Sequence, residues 1–564
     1  MVADSSYKAP GPGAWFLDAG HLTTSCSIYH QPLFRDDFLK GFSECLRTYG
    51  SLLESLDWEW VSGFPYFRLS PVGAPEGSTE HPPREAWNDL MASNRDIQER
   101  LGNAEKAFAG RIWRDELVRW DTIDKPGAIE QNRRLLAVDP ASLDNAGLVD
   151  YIEECTGNVS RGVYLHHIYN MAAFIPAGDL IAEGTRLTGR SDAEVLSLLQ
   201  GSTPNALGTG HLRDRLASAM EKHPALRAHI DDRDAEAVLS AISTIPGDAG
   251  DALREFVDFV AYRPVNGEDV GDTCAFEFPD VVIGALQMEI EGTRLHSAAT
   301  SDEVVELTAE VRAGIAAEER GHFDDVLAEA RLMYRIREER AMYGDLWSYG
   351  VARRALVAAG KRLVGSGRLE SDTHLVEASS QESTAILEGT GGPDGAELAE
   401  RALYRATVGF GEMPDNLGDP PGPHLPSEWL PDPSARMERA LGAAIGALFG
   451  APRDAAEVGP IEGIGVSVGV VEGPARVIDA SSQFGRIQDG DILVTRATTT
   501  AFNVVLPLLR GIVTDRGGLL CHAAVVSREY SIPAVVGTVN ATTRIADGDR
   551  VRVDGGSGQV TVLS

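Results

Sequence analysis

The spacing of apolar residues changes once along the chain, near residue 460, and this change most limits the folds that are possible. Before it, apolar residues recur at intervals of three and four over 101–120, 148–187 and 304–365, which predicts amphipathic helices. After it, short apolar runs alternate with Gly and Asp turns, which predicts short strands. A chain of 564 residues with two such regions is predicted to be multidomain, with about three or four domains by its length.

The N-terminal region, residues 1–413, is predicted to be a large and mostly α-helical domain. Pro176 is expected to break or kink the second helical run, because proline lacks a backbone donor and its ring clashes with the preceding turn. The run from 304 to about 363 predicts one long helix or a helical pair.

The segment that follows, residues 414–459, is predicted to be a linker with a connecting helix. Seven prolines between 414 and 433 predict that this part forms neither helix nor sheet, and a helix is expected over 434–449. Residues 460–564 are predicted to form a small β/α domain whose one helix spans about 521–530.

Charge is distributed unevenly between these regions. The whole chain has 51 Lys and Arg against 84 Asp and Glu, a formal charge of −33. Residues 460–564 contribute nine Arg, no Lys and ten acidic residues, so the excess of negative charge lies in residues 1–459. A chain this acidic is not expected to bind nucleic acid or an anionic membrane through its overall field.

The cysteine pattern and the apolar segments predict a location in the cell. The five cysteines are scattered and form no Cys-x-x-Cys pair, so neither a disulfide framework nor a metal site is predicted. Residues 1–13 lack the apolar core of a signal peptide, and the longest apolar stretch, near 440–451, is too short to span a bilayer. A cytoplasmic protein is therefore expected.

The stretch 514–529 carries the clearest chemical signal. A predicted strand runs into Gly517 and Gly518, and a helix is expected to start near Cys521, which places His522 in its first turn. The N–H groups of a first helical turn lack partners and the helix dipole is positive there, which favours phosphate and disfavours a protonated imidazole. A neutral ring beside two glycines can accept and pass on a phosphoryl group. From this stretch alone, a His that only caps or packs the helix start is an equal alternative.

Eight ordered segments of this domain follow a recognisable pattern, and they lie at 463–469, 472–477, 490–494, 514–518, 522–526, 528–529, 532–537 and 547–551. Together they closely resemble the mobile phosphohistidine domain of the phosphoenolpyruvate-utilising enzymes, among them pyruvate phosphate dikinase, phosphoenolpyruvate synthase, rifampicin phosphotransferase and phenylphosphate synthase. The resemblance implies that His522 is the phosphorylated residue, with Thr514 beside it and with Gly517 and Gly518 in the phosphate-binding loop. Cys521 departs from the family, which usually has Ser or Thr there, and its weaker hydrogen bond would loosen the ring without abolishing the chemistry.

The helical region resembles the same family more faintly, through segments at 262–263, 268–269, 277–279, 337–338, 353–354 and 360–363. The resemblance implies that Arg263, Arg337 and Arg353 line the acceptor site. There, Arg337 and Arg353 would contact the negatively charged phosphoryl oxygens. The alternative for either arginine is a surface ion pair with a neighbouring carboxylate such as Glu338 or Glu339.

Further acceptor-site candidates lie at the N-terminus and in one predicted helix. Trp15, Asp18 and His21 resemble a Trp…Asp…His opening of phenylphosphate synthase-like proteins. In an acceptor site, His21 would take a proton from a hydroxyl group and Trp15 would stack on an aromatic ring, whereas a structural N-terminal strap is the alternative. Of His166 and His167, His167 is a candidate for the substrate site, and a buried hydrogen-bonding role is its alternative.

No Gly-rich phosphate loop followed by Lys-Ser/Thr and no ATP-grasp segment is found in the sequence. The sequence ends at Ser564, so the pyruvate-binding barrel that follows this domain in pyruvate phosphate dikinase is expected to be absent. Resemblance to the split phenylphosphate synthase implies that a separate ATP-grasp subunit binds ATP and Mg2+ and phosphorylates His522, with AMP and phosphate as products. The mobile domain would then swing on 414–433 to the helical domain, where phenol or a methylphenol accepts the phosphoryl group and is primed for degradation.

Two other functions stay open at this point. The same chemistry could serve an antibiotic, another hydroxyl compound or a carboxylate, and the donor could be phosphoenolpyruvate instead of ATP. A non-catalytic phosphocarrier or regulatory protein is the third hypothesis, although a carrier needs no helical domain of this size.

Overall fold

The computed structural model describes residues 7–18, 22, 24–203, 212–232, 234–265, 267–291, 301–410, 413–450, 460–478, 481–499, 502–503 and 505–563. The helices are α1 (His30–Tyr49), α2 (Arg84–Ser93), α3 (Arg95–Gly110), α4 (Trp113–Arg119), α5 (Lys125–Leu136), α6 (Asn145–Ile168), α7 (Asn170–Thr188), α8 (Asp192–Ser197), α9 (Arg213–Lys222), α10 (Pro224–Asp231), α11 (Ala235–Thr244), α12 (Gly247–Ala261), α13 (Pro279–Glu291), α14 (Ser301–Ala313), α15 (Arg320–Met333), α16 (Ile336–Arg340), α17 (Leu346–Gly365), α18 (Ser380–Glu388), α19 (Gly395–Thr407), α20 (Asp432–Phe449), α21 (His522–Glu529) and α22 (Ala541–Arg544). The strands are β1 (Ala14–Leu17), β2 (Leu53–Val61), β3 (Phe64–Pro71), β4 (Asn416–Gly418), β5 (Ile461–Glu462), β6 (Ile464–Ser467), β7 (Val470–Val477), β8 (Asp491–Thr495), β9 (Leu509–Thr514), β10 (Ala534–Val536), β11 (Arg550–Asp554) and β12 (Gln559–Leu563).

The contacts between residues divide the chain into two units. The first unit comprises Met1–Ile175, Gly267–Asp272 and Arg340–Leu441. The second unit comprises Pro176–Asn266, Thr273–Glu339 and Gly442–Ser564. The strand-rich C-terminal region therefore shares a unit with helices from the middle of the chain, and the domain boundaries 1–413, 414–459 and 460–564 stay a prediction.

The first unit contains a four-stranded antiparallel sheet in the order β2-β3-β1-β4. Trp15 of β1 pairs with Leu417 of β4, and Phe16 pairs with Phe67 of β3. One apolar cluster covers this sheet and consists of Trp15, Leu17, Phe64, Tyr66, Phe410, Met413 and Leu417. Burial of these large side chains is what holds the short strand β4 to the sheet.

The helices of the first unit approach each other closely at glycines. Helix α6 packs against α1, α17 and the π-helical turn Ala341–Asp345 that precedes α17. A Cβ at Gly41 of α1 would lie 2.8 Å from the carbonyl oxygen of Tyr164, and one at Gly162 would lie 2.7 Å from that of Gly344. Side chains at these positions would force the backbones apart.

The second unit contains a helical core and a mixed sheet. Helices α9 to α13 surround an apolar cluster whose members include Leu253, Phe256, Ile283 and Leu286. The eight-stranded sheet has the order β5-β12-β11-β7-β8-β9-β10-β6, in which β7, β8, β9 and β10 are parallel. Helix α21 packs on β6, β9 and β10. The strands predicted for this region are confirmed, while the short helix α22 was not predicted.

The three long helical runs are more interrupted than predicted. The run 101–120 breaks at Arg111, which has a φ of +49°. The second run breaks at Tyr169, between α6 and α7. It does not break at Pro176, which lies inside α7 with helix on both sides. The run 304–365 is four helices, α14 to α17, with a π-helical turn before the last, so one helix or a helical pair was wrong. None of the described helices combines the length and the apolar composition that a membrane span requires.

The prediction that 414–433 forms no sheet was also wrong. Strand β4 lies in this segment and pairs with β1, and the hydroxyl of Tyr66 donates a hydrogen bond of 2.6 Å to the carbonyl oxygen of Pro414. The prolines flank β4 and do not occupy it, so its backbone donors stay available for pairing. Helix α20 begins at Asp432, two residues before the predicted start, and residues 451–459 lie outside the described residues.

The glycine contacts predict opposite effects of the same substitution at two helical sites. Gly41→Ala should lower the melting temperature, because its Cβ would meet the backbone of α6 and overpacking of this kind costs about 1–3 kcal/mol. Gly157→Ala, in α6 with nothing within 4 Å of the added Cβ, should leave the melting temperature unchanged or raise it. Differential scanning calorimetry of both variants tests this, and equal melting temperatures for the two would contradict it.

Candidate active site

His522 is the first residue of α21, and the loop before it is shaped by two glycines. Gly517 has a φ of +107°, and a Cβ there would lie 2.7 Å from Sγ of Cys521. A Cβ at Gly518 would overlap the carbonyl oxygen of Ala447. The local packing therefore requires glycine at both positions, whether or not a phosphate approaches them.

Both ring nitrogens of His522 are hydrogen-bonded. Oγ1 of Thr498 lies 2.9 Å from Nδ1, and Oδ1 of Asn503 lies 2.9 Å from Nε2. Because an amide oxygen only accepts, Nε2 carries the hydrogen and Nδ1 accepts from the Thr498 hydroxyl. The residue is partly accessible to solvent. The ring is thus held in one plane without being sealed from solvent.

Asn503 has a second polar atom beside the ring. The side chain is buried, with 6% of its surface exposed, and its Nδ2 has no hydrogen-bond partner among the described residues. Buried donors are almost always satisfied in folded proteins. This N–H is therefore available to donate to an oxygen atom of a group bound beside the ring.

The surroundings of His522 keep its ring neutral. Burial and, after it, the positive charge of Arg337 lower the pKa of His522 from 6.5 to about 3. Nε of Arg337 lies 3.6 Å from Oε1 of Glu338. Only 9% of the Arg337 side chain and 7% of the Glu338 side chain are exposed, so the two do not form the surface ion pair that was the alternative. The positive end of α21 acts on the ring in the same direction as Arg337.

The two residues predicted to flank His522 have other contacts. Thr514 is fully buried, and its hydroxyl donates a hydrogen bond of 2.7 Å to the carbonyl oxygen of Arg516. Cys521 is the N-cap of α21 without a side-chain capping bond, and burial raises the pKa of its thiol. The thiol therefore stays protonated at neutral pH, which does not fit a nucleophile.

Polar contacts join α21 to helical residues of the same unit. Nη2 of Arg528 donates a hydrogen bond of 2.9 Å to the hydroxyl of Tyr334. The carboxyl group of Glu529 accepts from the backbone N–H groups of Gly201 and Thr203 at 3.2 and 3.3 Å. Burial raises the pKa of Glu529 to about 7. These contacts fix the orientation of α21 in the second unit.

Of the N-terminal candidates, the structure describes two. Trp15 is 3% exposed, its Nε1 donates to the carbonyl oxygen of Gly11, and the guanidinium of Arg68 lies 5.0 Å from its ring centroid. Asp18 is buried, and His21 lies outside the described residues. Packing in the sheet core accounts for Trp15 without a substrate, so its stacking role and the roles of Asp18 and His21 stay predictions.

His167 is buried in the first unit among aromatic rings. Its Nδ1 donates to the carbonyl oxygen of Val163 at 2.7 Å, and its ring meets Phe34 and Phe38 edge to face at 5.5 and 4.5 Å. The hydrogen-bonding role that was its alternative is therefore present. His166 lies stacked on it, with ring centroids 4.6 Å apart.

The three candidate arginines fall in both units. Arg337 belongs to the second unit and is near enough to His522 to lower its pKa. Arg263 is in the same unit, with its guanidinium 3.6 Å from the ring centroid of Phe259. Arg353 is buried in the first unit, where it donates to the carbonyl oxygen of Gly271. Their contacts with an acceptor stay a prediction.

Thr498 and Asn503 are the site residues that sequence reasoning missed. They lie between β8 and β9, in a segment for which no structure was predicted and which contains none of the recognised motifs. A signal was nevertheless available. Since β8 and β9 are parallel neighbours, the residues that follow Thr495 and Thr514 emerge at the same edge of the sheet, where α/β proteins bind ligands.

The family described as PEP-utilising enzyme, mobile domain, matches residues 487–558, so this part of the chain is similar to that domain. A rifampicin phosphotransferase from Streptomyces sp. is 28% identical over 371 residues, which are 62% of this chain and 39% of that protein. A rifampicin phosphotransferase from Bacillus cereus is 50% identical over 103 residues, 18% of this chain and 12% of that protein. A probable phosphoenolpyruvate synthase from Archaeoglobus fulgidus is 45% identical over 100 residues, 18% of this chain and 13% of that protein. The chain thus spans less than half the length of each of these relatives. A solution structure of an Enzyme I protein aligns with a TM-score of only 0.15 and 12% identity, which is too low to indicate a shared fold.

The electrostatics of the site predict the titration of His522. In protein labelled with 13Cε1-histidine, the His522 resonance should not titrate between about pH 5 and pH 8, because its pKa is about 3. Arg337→Gln should raise the pKa, by up to about one pH unit, because removal of a nearby positive charge favours the imidazolium. Arg335→Gln, which removes an arginine paired with Glu339, is the control and should change little. A wild-type pKa near 6.5 would contradict the described environment.

Proposed function

We propose that this chain, which carries the mobile domain of the phosphoenolpyruvate-utilising enzymes, is the phosphohistidine-bearing component of an ATP-dependent phosphotransferase that acts on a phenol. The observation that supports this most directly is the state of His522, a partly accessible imidazole that is neutral and held at both nitrogens. A neutral ring at a helix start has the lone pair that attacks phosphorus and the positive surroundings that stabilise the product.

The hydrogen bonds of His522 suit a ring that is repeatedly phosphorylated. Attack through Nε2 requires that this nitrogen lose its hydrogen while Nδ1 gains one. The hydroxyl of Thr498 allows the change, because it can donate to Nδ1 or accept from it. The unpartnered Nδ2 of Asn503 then donates to a phosphoryl oxygen on Nε2. Thr498 and Asn503 thus serve both states of the ring.

The reaction balances in two halves. In the first, a bond forms between Nε2 and the β-phosphorus of ATP, AMP leaves, and water releases the γ-phosphate. In the second, the phenolic oxygen replaces Nε2 on phosphorus, and the phenolic proton returns to the imidazole through a base. Arg337, whose charge already acts on His522, is the residue in position to neutralise the phosphoryl oxygens in either half.

Nucleotide and Mg2+ are assigned to a separate ATP-grasp subunit. Among the residues that the structure describes, no three His, Cys, Asp or Glu side chains form a group that could hold a metal ion. We therefore propose that the partner subunit holds Mg2+ together with the nucleotide. The proposed location is the cytoplasm, where ATP is available.

The mobile domain must change its contacts if one imidazole is to serve a donor and an acceptor. In the described state, Arg528 holds Tyr334 and Glu529 holds the backbone of Gly201 and Thr203. These contacts are polar, so a domain that leaves this position must replace them with water or with another partner. The proposed movement therefore includes such an exchange of hydrogen bonds.

A second acceptor class is supported by a specific observation. The resemblance to the Streptomyces rifampicin phosphotransferase covers 62% of the present chain, and so it extends well beyond the mobile domain. The acceptor of this chain would then be rifampicin or another hydroxyl-bearing antibiotic. Phosphohistidine chemistry at His522 is the same for both acceptors, and only the acceptor panel distinguishes them.

Position-specific labels test the proposal. With the ATP-grasp partner, label from [β-32P]ATP should appear on this chain and then on the acceptor, whereas label from [γ-32P]ATP should appear in inorganic phosphate. His522→Ala should abolish labelling of both chain and acceptor. His322→Ala, a partly exposed histidine paired with Glu183, is the matched control and should label normally.

The acceptors to offer are phenol, the methylphenols and rifampicin. A His522→Ala variant that phosphorylates any of them at the wild-type rate would refute the mechanism. Transfer to rifampicin and to no simple phenol would favour the second acceptor class.

A further inference from the structure

Six side chains of the first unit form a closed circuit of contacts. They come from α1, from the end of α6 and from the start of α17 with the turn before it. In order around the circuit they are His30, Tyr349, Asp345, His166, His167 and Phe34. This set is called the acceptor cluster below.

The polar half of the acceptor cluster is a hydrogen-bonded chain. Nδ1 of His166 lies 2.7 Å from Oδ2 of Asp345, and the hydroxyl of Tyr349 donates to the same oxygen at 3.1 Å. Burial raises the pKa of Asp345 to about 7. The ring of Tyr349 meets the ring of His30 edge to face at 4.6 Å.

His30 is the last member of the circuit, and the hydrogen-bonding capacity of its ring nitrogens is unsatisfied. It is 0% exposed, and neither of its ring nitrogens has a hydrogen-bond partner among the described residues. Burial lowers its pKa, so the ring is neutral and has one N–H donor and one lone pair in a dry interior. Both positions of a buried imidazole are normally occupied, which indicates a missing partner.

A second buried hydrogen-bond donor without a described partner is the indole N–H of Trp58, whose ring contacts aromatic residues of α1. Nε1 of Trp58 is buried and has no partner within the described part of the chain. Its ring lies 5.2 Å from that of Phe34 and 4.6 Å from that of Phe38. His30 and Trp58 both contact Phe34, so the unsatisfied polar atoms border the same aromatic surface.

The backbone around the acceptor cluster is built for close approach. Gly162 and Gly344 bring α6 within contact distance of the π-helical turn, and this approach sets Asp345 beside His166. π-Helical turns are rare and are frequently found at functional sites, and the first unit has a second one at Trp120–Asp124.

We propose that the acceptor cluster binds one small phenol, whose hydroxyl group hydrogen-bonds to His30 and whose ring packs against Phe34 and Phe38. The choice of a phenol rests on the proposed function. The aromatic surface suits a flat ring, and the neutral imidazole needs a hydroxyl group that donates to its lone pair.

The charges near His30 select against acidic ligands. Asp269 and Asp345 are the ionisable groups whose charges act on its pKa, and both are acidic. A carboxylate ligand would be repelled there, whereas a neutral hydroxyl is not.

Equilibrium dialysis of the full chain with labelled 4-methylphenol, without ATP or partner, tests the site. One molecule should bind per chain, and toluene, which has the same ring and methyl group but no hydroxyl, should compete at least about tenfold more weakly. His30→Phe should weaken binding at least about tenfold. His81→Phe replaces another histidine that contacts an aromatic ring, Trp429, and should bind as the wild type does.

The wild-type comparison of the two ligands needs no variant, so it decides the matter even if His30→Phe fails to fold. Equal competition by toluene and 4-methylphenol, or unchanged binding to a folded His30→Phe, would overturn the site, as would the absence of binding. Binding as expected together with no β-label on His522 would refute the proposed function and leave the site intact. Labelling of His522 with transfer to phenol in a folded His30→Phe variant at the wild-type rate would refute the site and keep the function.

Discussion

The proposed chemistry depends on an imidazole that is kept from gaining a proton. Burial and the charge of Arg337 lower the pKa of His522 to about 3, and the start of α21 adds the positive end of a helix dipole. In the proposed reaction, the same positive field would attract the phosphoryl oxygens. One electrostatic environment would then prepare the nucleophile and stabilise its product, and the hydrogen bonds that the ring makes with Thr498 and Asn503 fix it within that field.

Glycines shape both sites for the same reason. Gly517 and Gly518 sit where a Cβ would meet Cys521 or the backbone, and Gly162 and Gly344 do the same where α6 meets the π-helical turn. In each place a reactive or hydrogen-bonding group lies directly beside the glycine pair. Close backbone approach, and not an unusual side chain, is what positions the histidines in both units.

The sequence predicts the C-terminal region better than the helical region. Each short strand there is a run of apolar residues bounded by turn residues, so the sequence marks where the strand begins and ends. Two glycines shortly before α21 likewise mark where that helix begins. In the helical region the apolar spacing continues through the breaks at Arg111 and Tyr169 and through the π-helical turn before α17, so the spacing alone does not show where one helix ends and the next begins. The dense prolines around β4 predict no strand there, but pairing with β1 and burial of Leu417 stabilise one.

The site is predicted in part, for a similar reason. His522 and its loop lie in one continuous motif, and Arg337 was found by resemblance. Thr498 and Asn503 reach the ring only because β8 and β9 are neighbours in the sheet. His30 stands out only because its buried ring nitrogens have no hydrogen-bond partner among the described residues, which the sequence does not show. The order of the strands could have indicated the edge at which Thr498 and Asn503 lie, but no local motif marks either residue or His30.

The proposed function depends on one step, the passage of the phosphoryl group through His522 to the acceptor. The most direct measurement is a chase: the chain is labelled from [β-32P]ATP, purified away from ATP and the partner subunit, and mixed with a phenol. The account predicts that label leaves His522 and appears in the aryl phosphate in equal amounts. Retention of the label on His522, or its release only as inorganic phosphate at the same rate with and without acceptor, would contradict it.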